Sequence, residues 1–89
     1  MPAIPVDPTW VKHVYLQIAD DVQHRIEIGE ITLKLPGERG MADEYEVSIG
    51  SVRRALEELR ERRLVETLEA RGSFVASALA ALRGKAAPS

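Results

Sequence analysis

The chain of 89 residues contains no cysteine, which excludes disulfide frameworks, thiolate metal sites and cysteine nucleophiles. No apolar run approaches the ~18–20 residues of a membrane span, so no membrane partner is expected. The first residues, MPAIPVDPTW, lack a basic start followed by an apolar stretch and do not read as a secretory signal. A cytoplasmic protein is the expectation. The two histidines, His13 and His24, share no helical face, and no metal site is expected from them. Ser48, Ser51 and Ser73 have no matching His/Asp arrangement, and no glycine-rich phosphate loop is present. Nothing in the chain supports catalysis or a cofactor. Internal repeats are also absent. Aromatic residues are scarce, at 4% of the chain; Trp10 and Tyr15 are placed for a small contact with the first helix or with a partner chain.

What remains is a chain that makes one domain. It is 45% hydrophobic, enough for a single small core that buries roughly 60–65% of the unfolded surface. The net charge is −2, from 12 Lys+Arg against 14 Asp+Glu. Read as a global sum, that balance mildly opposes nucleic-acid binding, because phosphate contacts dominate such affinity. Placement of the charges decides more than their sum.

Three prolines in the first eight residues mark an irregular N-terminal arm. Tyr15, Ile18, Ala19, Val22 and Ile26 then form one stripe of an amphipathic helix, which Gly29 is suited to end. Ile31–Leu35 reads as a short strand stopped by Pro36. Pro36-Gly37-Glu38 reads as a helix start, with a carboxylate at the positive end of the helix dipole; that helix lasts two turns at most, to Tyr45. Ser48 is a good N-cap for a second helix, and Val47 and Val52 have the spacing of a hydrophobic staple. Ile49, Val52, Ala55, Leu56 and Leu59 carry the apolar face of this longer helix, predicted to run to about Arg62. Leu64–Leu68 and Ser73–Ala76 are β-rich runs joined by Glu69-Ala70-Arg71-Gly72, a hairpin signature. The Ala/Leu tail from Ser77 reads either as a frayed helix or as disorder. The order predicts a mainly α fold with a small β-hairpin: a helix-turn-helix with the hairpin as a wing.

Several segments in this order carry a family resemblance: Tyr15-x-Gln17-Ile18-Ala19, Leu35-Pro36-Gly37-Glu38-Arg39, Val47-Ser48, Val52-Arg53-x-Ala55-Leu56-x-x-Leu59 and Arg71-Gly72-Ser73-Phe74-Val75. Together with Ile26-x-x-Gly29, Met41-Ala42 and Leu64-Val65 they resemble the DNA-binding domain of the GntR family of bacterial transcription regulators. The resemblance runs from about Val14 to Ala76. It implies a winged helix-turn-helix that puts its second helix in the major groove of double-stranded DNA and its wing tip toward the minor groove. It also implies that Arg39, Ser51 and Arg53 reach DNA and that Gly72 comes close to the backbone. The division expected is an arm at 1–13, the DNA-binding domain at 14–76 and a short tail at 77–89.

The residues themselves add to this set. Gly50 and Arg54 lie on the face of the recognition helix turned away from its apolar stripe, where a glycine and a serine allow close approach, whereas Glu57 and Glu61 on the same face would be repelled by phosphates. Only the first two turns are then expected in the groove. The plain alternative leaves Arg53 and Arg54 as solvated surface charges. Ile49, at the edge of the stripe, reads either as core or as a contact to a thymine methyl. Arg71, at the hairpin tip, suits a phosphate or minor-groove role; the plain reading of Arg71-Gly72 is a turn. Arg60-Glu61-Arg62-Arg63 reads as a solvated helix end with cations at the negative dipole terminus.

Three residues depart from the family pattern. Ile49 stands where arginine is usual, Ser51 where threonine is usual after a small or polar residue (here Gly50), and Gly37 where serine is usual. The family's target sequence therefore does not carry over. Family members normally continue into a C-terminal domain that binds an effector and dimerises, and the chain has only 13 residues after Ala76. A regulator without a recognisable effector-binding domain is expected, with repression as its mode, as a monomer or weak homodimer that pairs on DNA. The competing reading is a winged-helix module for protein–protein contact, supported by residues 39–75, which hold seven arginines and eight carboxylates.

Overall fold

A computed structural model describes residues 13–86. The prolines of the N-terminal arm and the contact expected for Trp10 lie outside the described residues. The element order is α1 (Val14–Glu27), α2 (Glu38–Tyr45), α3 (Ile49–Glu61), β1 (Val65–Leu68), β2 (Gly72–Val75) and α4 (Ala76–Ala86). Both apolar stripes read from the sequence face inward. Ile18, Ala19 and Val22 of α1 meet Val52, Ala55, Leu56 and Leu59 of α3, while Met41, Ala42 and Tyr45 of α2, Val65 of β1 and Val75 of β2 close the cluster. Each fully buried aliphatic side chain here stabilises the fold by about 1.5–3 kcal/mol.

The first three helices end in the same way. After α1 the Gly29 N–H donates to the Ile26 carbonyl and the Glu30 N–H to the Arg25 carbonyl. After α2 Glu46 and Val47 bond back to Asp43 and Ala42, and after α3 Arg63 and Leu64 bond back to Arg60 and Leu59. These are the paired bonds of Schellman stops, which satisfy helix-end carbonyls through one left-handed residue. Gly29 takes that conformation freely, at φ 82°. Glu46 and Arg63 take it at φ 56° and 63°, at a cost on the order of 1 kcal/mol each. The turn between α2 and α3 is thus set on both sides: Glu46 stops one helix, and Ser48 starts the next by accepting from the Ser51 N–H at 3.1 Å. Val52 is fully buried and Val47 packs against the same core, as a staple across that turn requires.

The expected strand at 31–35 is reduced to a single bridge, Lys34 opposite Phe74. The Val75 N–H donates to the Leu33 carbonyl and the Leu35 N–H to the Ser73 carbonyl. Pro36 has no N–H to continue the ladder, while Ile31 and Leu35 are anchored in the core. β1 and β2 pair antiparallel, with Val65 opposite Val75 and Leu68 opposite Gly72. The tail is helical as far as Ala86; α4 buries Leu79 and fastens to β1 through Arg83, whose guanidinium donates to both Glu66 oxygens at 3.1 and 3.2 Å.

Polar locks hold the helices in register. At the C-terminal end of α3, Arg62 donates to Glu58 and to Gln23 of α1, both at 2.9 Å, and lies 2.8 Å from Asp20 of α1. Burial alone would lower the Arg62 pKa, but those acceptors outweigh it and the net shift is upward. The Arg60-to-Arg63 run is therefore not the freely solvated end that its composition predicts. Arg62 bridges two helices, and Arg60 donates to Thr67 of the wing at 2.8 Å. A second lock joins α1 to α2, where the buried Tyr45 hydroxyl donates to Asp21 at 2.6 Å and accepts from Arg25 at 3.1 Å.

Candidate nucleic-acid interface

The exposed face of α3 begins with Gly50 and ends with Glu57, Arg60 and Glu61. Apart from its chain neighbours, Gly50 has only the Ser48 hydroxyl within 4 Å of where a Cβ would stand, which leaves open space at that point of the helix. Ser51 is half-buried and tied to the cap. Ile49 is also half-buried and packs against the core, which assigns it a packing role.

The two arginines of this face have different neighbours. The Arg53 Nε donates to Glu38 Oε1 at 3.0 Å, across the gap between α3 and the first turn of α2. Arg54 turns the other way and lies over the Tyr15 ring, 4.8 Å from its centroid. Tyr15 in turn stacks on His13 at 5.8 Å. The Tyr15 hydroxyl, and after it the Glu57 and Glu61 charges, push the Arg54 pKa upward. Both arginine side chains are more than 60% exposed, so neither is committed to the core.

Arg39 is exposed on α2, immediately after Glu38. Arg71 is exposed at the hairpin tip and shares with Glu38, Lys34, Thr67 and Gly72 the wall of a cleft of about 250 Å³ between the start of α2, α3 and the wing. Arg53 thus pairs with Glu38, Arg71 lines the same cleft as Glu38 and Arg39 follows it in the chain, whereas Arg54 stands apart beside α1. Across the hairpin, Thr67 and Ser73 face one another, their hydroxyls 3.0 Å apart. Arg60 therefore ties the far end of α3 to the wing through the same hydroxyl pair.

Gly72 has a backbone requirement of its own. Its φ is 109°, a conformation that L side chains rarely adopt, and a Cβ would come within 3.1 Å of Lys34 Cε. Ala70 beside it is also left-handed, at φ 64°. The wing tip is therefore a strained turn in which glycine is needed for the fold, whatever it does toward a partner.

Sequence reasoning missed three participants. Glu38 read only as a carboxylate suited to a helix start; that it would also hold Arg53 is invisible until α2 and α3 are placed. Tyr15 read as part of the inward stripe, not as a platform for Arg54. Lys34 read as one residue of a strand, yet its ammonium lies 5.8 Å from the Phe74 ring centroid, beside the wing glycine. Its position between Leu33 and Leu35, both apolar, was the available signal. Among the described residues, no group of three or more His, Cys, Asp or Glu could hold a metal ion, and no helix is long and apolar enough to cross a membrane.

With this geometry in place, the chain matches the description "Bacterial regulatory proteins, gntR family" over residues 14–75. It is 36% identical over 66 residues to the mannosyl-D-glycerate transport/metabolism system repressor MngR of Escherichia coli, covering 72% of this chain and 28% of MngR. Among solved structures it is similar to YtrA from Sulfolobus acidocaldarius, a GntR-family transcription factor, with a TM-score of 0.73 and 25% identity over 94% of this chain and 96% of that one. It is also similar to the AraR DNA-binding domain in complex with operator ORR3, with a TM-score of 0.71 and 25% identity over 82% of this chain and 90% of that one. The chain spans between about a quarter and just over half of the length of the curated relatives it matches. It belongs to the GntR family of bacterial regulatory proteins, and its fold is the family's winged helix-turn-helix.

Proposed function

We propose that the chain binds double-stranded DNA sequence-specifically and represses transcription by occupying an operator. In this reading residues 14–76 are the DNA-binding unit, 1–13 an arm and 77–89 a tail, and the protein works in the cytoplasm where the chromosome is. The first two turns of α3 enter the major groove with Gly50, Ser51, Arg53 and Arg54, and Ile49 at their edge. Arg39 reaches in from α2, and the Arg71-Gly72 tip approaches the minor groove. The observation that carries this reading is the division of charge along one exposed helix face. Gly50, Arg53 and Arg54 come first, and the carboxylates Glu57 and Glu61 come only after them. Such a face admits phosphates at one end and repels them at the other, which tilts α3 into the groove by its N-terminal half. The repressor name of MngR and the operator complex of AraR support the same reading.

One winged helix offers few base contacts, while specific recognition usually buries roughly 1,000 Å² or more of protein surface. Two copies on related half-sites supply that area. Ile28, Leu33 and Leu82 are the exposed large apolar residues among those described, too little for a tight dimer in solution, so pairing is expected on DNA.

A competing reading, a module for protein contact, draws on the acidic balance of residues 39–75 and on the ion pair that occupies Arg53. Titration of the chain onto a random duplex at several salt concentrations separates the two. DNA binding through four arginines predicts a slope of log K against log salt of about −3 to −4. Absence of salt-dependent binding removes the DNA reading. Selection from a random duplex library then yields the preferred site.

A further inference from the structure

We propose that Glu38 is a positioning residue for base reading: it holds the Arg53 guanidinium by its Nε, so that the two amino groups present an outward fork to a guanine. This inference rests on the DNA-binding reading above.

Glu38 is the first residue of α2, directly after the cap residue Gly37. Its carboxylate there sits at the positive end of a helix dipole, which favours an acidic residue at this place. Arg53 lies in the second turn of α3, and the Nε–Oε1 bond of 3.0 Å is its side-chain hydrogen bond among the described residues. An arginine has five N–H donors in a planar fork. Using Nε toward the protein leaves the edge formed by the two amino groups, which is the edge that pairs with guanine O6 and N7. Without a neighbour, a side chain with this many rotors would sample many orientations, and ordering it on contact would cost part of the contact's worth. Glu38 restricts those rotors before DNA arrives.

The same carboxylate has an opposite effect on the rest of the interface. It is 43% exposed, adjoins the cleft lined by Lys34 and Arg71, and so stands among the groups expected to meet phosphates. Its charge repels any duplex regardless of sequence. Glu38 therefore trades general affinity for discrimination, and removing it should move those two quantities in opposite directions. A role confined to starting α2 would move neither.

The test uses the full chain, with Glu38→Gln, Glu38→Ala, Arg53→Ala and the Glu38→Ala/Arg53→Ala double variant. Each is titrated onto the duplex selected by the wild type, onto its single-base variants and onto a random duplex, with circular dichroism melts to confirm folding. Expected for Glu38→Gln and Glu38→Ala is a loss of discrimination of about ten-fold, within the range of a bidentate base contact, at the base position that Arg53→Ala also relaxes. Random-duplex affinity should rise about two- to five-fold, on the scale of removing one like charge. The double variant should discriminate no worse than Arg53→Ala alone, because the two act as one unit. Unchanged discrimination in folded Glu38 variants overturns the proposal. Relaxation at a different base position also overturns it, and would make Glu38 a direct reader of its own base. If the wild type selects no sequence and binds no duplex, the DNA-binding reading falls and this inference falls with it.

Discussion

The two halves of α3 use the same residue type for different ends. At the C-cap that closes the second half, Arg62 has three acceptors within 3 Å, on α3 and α1, and its side chain is 24% exposed. In the first half, Arg53 has one acceptor and a side chain 66% exposed, and Arg54 lies on an aromatic face. Burial and the number of fixed partners separate them. An arginine enclosed by acceptors from two helices stiffens the fold, whereas one held through Nε by a single exposed carboxylate keeps its other donors open to a ligand, and its exposed ion pair adds only about 0–1 kcal/mol to stability.

The sharpest way to break this contrast is to truncate both arginines in parallel. Arg62→Ala leaves Glu58, Asp20 and Gln23 without their shared donor, and a loss of about 2 kcal/mol in unfolding free energy is expected from denaturant melts, with DNA affinity per folded molecule unchanged. Arg53→Ala should reverse the pattern. Its expected cost is about 1.5 kcal/mol in affinity for the selected site, with stability within about 0.5 kcal/mol of wild type. If Arg53→Ala destabilises the fold as much as Arg62→Ala, the division of α3 into a binding half and a fastening half is wrong.

A pH experiment sharpens the comparison from the α2 side. Burial, aided by the bond to Asp21 and opposed by Arg25, raises the Tyr45 pKa well above its ordinary value of 10.0. The unfolded chain therefore loses near pH 10 a proton that the folded chain keeps. The stability due to this group is complete below that pH and declines above it, by up to about 1.4 kcal/mol per unit. Melting temperatures between pH 9 and 11 should fall more steeply for wild type than for Tyr45→Phe, which has no proton to lose there. Equal slopes would mean that the tyrosine is open to water.

The smallest effect is expected at the end of α3. Arg63 holds a left-handed conformation at φ 63° and has no side-chain partner among the described residues. Arg63→Gly relieves that strain but gives the unfolded chain more freedom, and a net gain of about 0.5 kcal/mol is expected. A loss of stability would show that the arginine stem covers apolar surface.

Much of the fold was legible from neighbours in the chain. The Ser48 cap, the Val47 and Val52 staple, the inward stripes of α1 and α3 and the hairpin are each set by near neighbours in the sequence, where propensity and hydrogen-bond geometry act without help from the fold. The strand expected at 31–35 failed where a distant choice intervened, since only one bridge to Phe74 fits before Pro36. In the candidate site, exposure of Gly50, Arg53, Arg54 and Arg71 followed from periodicity and turn chemistry, but their partners did not. Arg53 meets a residue 15 positions away, and Arg62 meets one 39 away. Composition and spacing determined that α3 would have an apolar side and a charged side. Only the packing of α1, α2 and the wing around it decided which of those charges became fastenings and which stayed available, because an ion pair's worth depends on burial and geometry that no local run of residues encodes.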